Sequence, residues 1–151
     1  MQTTIYICSL IVAGALLGNE IAVSAFAHPQ ISRLDDAAHA ASAKALAAVL
    51  GRVMPFWYAL TLLLSIATTY FLRSTNSAHA CGAIVATTLY TLSIVCSIAF
   101  LVPINNRIAG LDLAHLPTSW KEDRKKWDRF HRIRVLVLLI ALIFLISSVL
   151  S

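Results

Sequence analysis

The chain has 151 residues, of which 59% are hydrophobic and only 13% charged, so it falls outside the range of ordinary soluble domains and points to lipid as its solvent. Twelve basic residues against seven acidic give a formal charge of +5. They cluster at helix ends rather than on one face, which argues for membrane topology and against nucleic-acid binding. Cys8, Cys81 and Cys96 lie far apart in apolar runs, without C-x-x-C or metal-type spacing, and read as small apolar residues.

A hydrocarbon layer about 30 Å thick requires about 20 apolar residues of helix. Four segments qualify, running from about Thr4 to Ala27, Val53 to Leu72, Ala78 to Val102, and Arg134 to Ser151. The expected fold is therefore all-α, a single integral membrane four-helix bundle over residues 1–151. Eleven of the twelve basic residues fall in or beside loops 28–52 and 103–133, leaving Arg73 alone on the other side. The positive-inside rule then places those loops in the cytoplasm and both termini opposite.

In the first segment Ala25-Phe26-Ala27 resembles a signal cleavage site, but the absence of a basic n-region and the long apolar run favour a retained span. Gly14 and Gly18 form a small-x-x-x-small pair, expected to serve packing within the chain, with a homo-oligomer as the alternative. Glu20 is an ionisable residue inside a span and costs a few kcal/mol to insert, so it calls for a partner or a function. Ser24 and His28 follow at four-residue steps and share its helix face. At the same depth the third span ends in Pro103-Ile104-Asn105-Asn106-Arg107.

The long loop after it carries Pro117 and the capping-box pattern Ser119-Trp120-Lys121-Glu122. One helix is expected from about residue 119 to the C-terminus, roughly 30 residues and 45 Å long, extending beyond the bilayer. Trp120, Arg124, Trp127, His131, Arg134, Leu138, Ala141 and Leu145 make one stripe along it. Polar groups at one depth avoid lipid by facing inward, so Glu20, His28, Asn105, Trp127, His131 and Arg134 are expected to converge at the loop end of the bundle. Blander roles stand beside these: Trp120 as an interfacial anchor, Arg134 snorkelling to lipid phosphates, His28 or Asn105 capping a helix end. His39, His79 and His115 have no companion pattern and receive no chemistry.

His28-Pro29 after the first span, Pro103-x-Asn105 after the third and Trp127-x-x-x-His131-x-x-Arg134 entering the fourth together resemble the anthrone oxygenase-like family of small four-helix membrane proteins. Ala27 stands where many members carry an acidic residue, which leaves Glu20 as the substitute carboxylate. The resemblance implies oxidation of an anthrone or similar planar phenolic molecule by O2, with no flavin, haem or other cofactor. It also implies that His131, alone or with His28, takes a methylene proton while Asn105, Arg134 and Trp127 stabilise the oxyanion. His28, Glu20 and Trp127 would contact the substrate. Two other readings stay open. One is a copper- or iron-dependent oxidoreductase with His28, His131 and Glu20 as ligands, and the other a non-enzymatic membrane subunit or lipid-binding protein.

Overall fold

In the computed structural model four long helices carry almost the whole chain: α1 (Gln2–Ile31), α2 (Asp36–Ser74), α3 (Ala80–Ala109) and α4 (Trp120–Leu150). Each is long and apolar enough to cross a membrane. The structure describes residues 2–75 and 77–150, apart from the side chains of residues 75 and 77–79. The Ser151 end of the fourth span and the His79 side chain thus lie outside the described residues. No strand occurs among the described residues, and the expected all-α membrane bundle is what forms.

Two helices extend well past their apolar segments. The Asp35 carboxylate accepts the Ala38 N–H at 2.9 Å and opens α2, so residues 36–52, expected within a loop, are helical. That stretch is rich in alanine, the strongest helix former, which hydropathy alone does not register. At α4 the Ser119 carbonyl accepts the N–H groups of Glu122 and Asp123, and two carboxylates in the first turn complement the helix dipole. The helix start expected near residue 119 is thereby met.

Prolines interrupt the regular ladder in three helices. Wide i→i+5 turns occupy Val23–Ala27 in α1 and Ser97–Leu101 in α3, closed by the N–H groups of His28 and Val102. Each stands just before a proline, Pro29 or Pro103. A proline has no N–H to give, and its ring would meet the carbonyl four residues back; the widened turn carries the backbone past that obstruction. Pro55 lies inside α2.

The interior differs between the two ends. Towards the chain termini, Ala13, Ala83, Ala86 and Ala141 are almost fully buried and let the helix backbones approach. A Cβ at Gly82 would collide with Ser148 and the Phe144 carbonyl of α4, so α3 and α4 touch there. The hydroxyls of Ser65, Thr69 and Thr87 join α2 to α3 at 2.7–3.0 Å. Outward positions such as Ile11, Leu63, Ile66 and Val95 are exposed and apolar, as lipid-facing positions should be. Gly14 and Gly18 meet nothing within 4 Å of a Cβ position, so the packing role expected for them within the chain is not realised.

At the loop end a second cluster joins Ala40, Ala43 and Ala47 of α2 to Ile104 and Ile108 of α3 and Trp120 of α4. Trp120 is 5% exposed and meets the His39 ring edge-on at 4.9 Å. It is therefore a core residue of this cap and not the interfacial anchor expected from sequence. Paired charges tie the cap together: Arg107 grips Asp123 through two 2.8 Å hydrogen bonds, and Lys121 meets Asp36 at 2.7 Å.

Candidate functional site

The stripe along α4 faces inward as expected: Trp120, Arg124, Trp127, His131, Leu138, Ala141 and Leu145 are all buried. At its middle a cluster of ionisable groups spans α1 and α4. Arg134 Nη2 donates to Glu20 Oε2 at 2.7 Å and lies 2.9 Å from His131 Nδ1, while Nδ1 is 3.2 Å from the same carboxylate oxygen. Because a guanidinium only donates, Nδ1 must offer it a lone pair. The hydrogen then sits on His131 Nε2, which donates to the Glu20 backbone carbonyl at 3.3 Å. This assigns a neutral imidazole wedged between an arginine and a glutamate.

The pairing explains how Glu20 is tolerated at 1% exposure within a span. A lone carboxylate there would be costly, whereas Glu20 and Arg134 neutralise each other. Arg134 also reaches Ser97 Oγ of the α3 wide turn at 3.4 Å, and its guanidinium lies 5.3 Å from the Tyr58 ring centre. Its inward pairing replaces the snorkelling expected as its blander role. The side chains of Glu20 and His131 are each 2% exposed against 12% for Arg134, so Arg134 fronts the cluster and the other two back it.

The cluster borders a cavity of about 430 Å³, within the range of small-molecule sites. Of the residues singled out from sequence, Glu20, Asn105, Trp127, His131 and Arg134 line it. Trp127 stacks on His131 with ring centres 4.5 Å apart and planes 16° from parallel. Asn105 uses one amide hydrogen to bind the Ala47 carbonyl at 3.1 Å, and the absence of a Cβ at Gly51 leaves room for it.

His28 takes a different place. It is 5% exposed and packs edge-on against Trp127 at 4.7 Å, but it lines a second, smaller pocket of about 130 Å³ with Ser24, Ser32, Asp128 and Arg132. Its Nδ1 lies 3.1 Å from Asp128, which also receives Arg124 Nη2 at 2.7 Å. The wide turn at Val23–Ala27 intervenes between Glu20 and His28, which line different pockets, although the His28 ring centre lies 5.6 Å from that of His131. His28, His131 and Glu20 do not form the expected ligand set: among the described residues no three His, Cys, Asp or Glu side chains gather as a metal site. Each already has a protein partner.

Three contributors went unrecognised in the sequence. Tyr58 and Met54 of α2 and Ser97 of α3 line the cavity. The Tyr58 hydroxyl is buried beside the Glu20–Arg134 pair, close to the Glu20 carboxylate. The signal for α2 was present, since Met54, Tyr58, Thr61, Ser65, Thr68 and Leu72 recur at alternating steps of four and three and are all buried.

Among known families, residues 43–144 match the one described as Anthrone oxygenase. The match takes in more than half the chain, including Tyr58, Asn105, Trp127, His131 and Arg134, while Glu20 and His28 precede it. No curated protein matches, and no solved structure does. By the extent of that match, the chain belongs to the anthrone oxygenase family.

Proposed function

We propose that the protein is a membrane oxygenase that oxidises a planar phenolic or anthrone-like molecule with O2 in the cavity at the loop end of the bundle. The observation that carries this reading is the buried Glu20–Arg134–His131 cluster set against a largely apolar cavity in a chain of this family. The overall change is balanced: an activated CH2 and O2 become C=O and H2O. Its first step is removal of a methylene proton, after which the resulting carbanion passes electrons to O2 and a C–O bond forms to give a hydroperoxide; loss of the second C–H proton then makes the C=O bond as the O–O bond breaks and water leaves.

The cluster suits that first step. As the proton leaves carbon, negative charge grows on the conjugated substrate oxygen. Arg134 can then turn its Nη2 hydrogens from Glu20 and His131 to that oxygen. The proton fills the vacated space between Glu20 Oε2 and His131 Nδ1, which are 3.2 Å apart. Net charge in the buried site is unchanged throughout, so no unpaired ion is created where one would cost most. The Tyr58 hydroxyl beside Glu20 offers a second donor, and the Trp127 ring a face for a flat substrate. In this scheme His28 acts at one remove, through Trp127 and Asp128. No step requires a flavin, haem or metal. The loop end, with most of the basic residues, is assigned to the cytoplasmic side.

His131→Ala tests the assignment. Oxygen uptake with an anthrone should fall by about 100-fold or more, while helicity and detergent-solubilised size stay as in the parent. Unchanged turnover in a folded variant would remove His131 from the chemistry.

A further inference from the structure

We infer that the cavity is entered sideways from the bilayer, through an opening between α2 and α3, and that its ligand is a planar molecule dissolved in lipid. This inference rests on the cavity described above and deepens its proposed use.

The opening is visible in the exposure of the lining. One side of the cavity is deep in the bundle: Val23, Met54, Tyr58, Leu101 and Trp127 are 5–7% or, for Met54, 8% exposed. Six lining residues are on the outer surface: Gly51, Pro55 and Ala59 of α2, and Ile98, Val102 and Asn106 of α3. Ile98 is 63% exposed and Val102 42%. A cavity lined both by buried α1 and α4 side chains and by exposed α2 and α3 side chains must break the surface between α2 and α3.

Pro55, Ala59, Ile98 and Val102 are uncharged and apolar and lie within the apolar segments 53–72 and 78–102, so this part of the gap faces acyl chains, while Gly51 and Asn106 carry it to the loop-end margin of the spans. Both edges also sit where the regular helix is interrupted, at Pro55 in α2 and at the wide turn Ser97–Leu101 in α3. Such interruptions bend or loosen a helix locally. The smaller pocket beside His28 offers a contrast, being bordered by Ser24, Ser32, Asp128 and Arg132, the surroundings of a watery opening.

The chemistry of the entrant follows. It must be uncharged while crossing the rim, flat enough to lie along Trp127, and furnished with an oxygen that can meet Arg134 once inside. A neutral polycyclic phenol or ketone fits, whereas a glycosylated or charged one would be rejected at the rim.

Proteoliposomes of the full chain separate this route from entry through water. Binding of anthraquinone, a ring that does not react further, can be followed by quenching of tryptophan fluorescence, and turnover by oxygen uptake with anthrone. For lateral entry, rates follow the mole fraction of ligand in the lipid, and adding empty vesicles lowers them. The paired substitution Ala59→Phe and Ile98→Phe should slow both association and dissociation by about tenfold while leaving Kd within about threefold, the signature of an obstructed passage and not of an altered site. Rates set by aqueous concentration, with unchanged association in the double variant, would overturn the inference. Lateral binding of anthraquinone without oxygen uptake on any anthrone would instead defeat the oxygenase reading and leave the route standing.

Discussion

The two ends of this bundle are built from the same four helices yet have opposite interiors. Near the chain termini, alanines and Gly82 bring the backbones into contact. Near the loops, prolines interrupt three helices and a 430 Å³ cavity opens beside three ionisable groups. The contrast shows how a small membrane protein divides its labour. One end holds the helices in register by close packing, so that the other can accommodate a buried ion pair without falling apart.

Substitutions in each half should therefore fail differently. The largest effect is expected for Arg134→Met, which leaves Glu20 charged, buried and alone: stability should fall by about 3–5 kcal/mol in thermal unfolding, together with loss of turnover. A melting temperature equal to the parent's would mean that the pair does not form. In the packed half, Gly82→Leu should cost about 1–3 kcal/mol by forcing α3 from α4, with the KM of surviving protein unchanged. A changed KM would show that the two ends are not independent.

Tyr58→Phe removes a buried hydroxyl close to the Glu20 carboxylate, so stability should change by no more than about 1 kcal/mol while kcat/KM drops by about tenfold. A larger loss of stability would place that hydroxyl in a structural hydrogen bond. The smallest effect belongs to Lys121→Ala, which breaks an exposed ion pair with Asp36 and should leave the unfolding midpoint where it was.

Much of this contrast could be read from the sequence. The inward stripe of α4 was legible because its period is that of a helix with one buried face, and Glu20 because an acid in a span demands an explanation. The helical start of α2 was hidden by alanines, which are neither polar enough for a loop nor apolar enough for a span. Tyr58 escaped because a tyrosine in an apolar segment draws no attention unless the polar stripe around it is followed through Thr61 and Ser65. His28 does lie beside Trp127 and His131, but the separate pocket that it lines with Asp128 and Arg132 has no signal in the spacing. Trp120 was misjudged because its burial comes from α2 residues more than 70 positions away in sequence.

The central claim is that proton removal occurs where Glu20, His131 and Arg134 meet. Its most direct test pairs an oxygen electrode with quinone absorbance for the parent and Glu20→Gln in proteoliposomes supplied with anthrone. The parent should consume one O2 for each quinone formed, and Glu20→Gln, which keeps the shape but loses the charge, should fall by about 100-fold or more without loss of anthraquinone binding. Turnover by Glu20→Gln at the parent's rate would contradict the account.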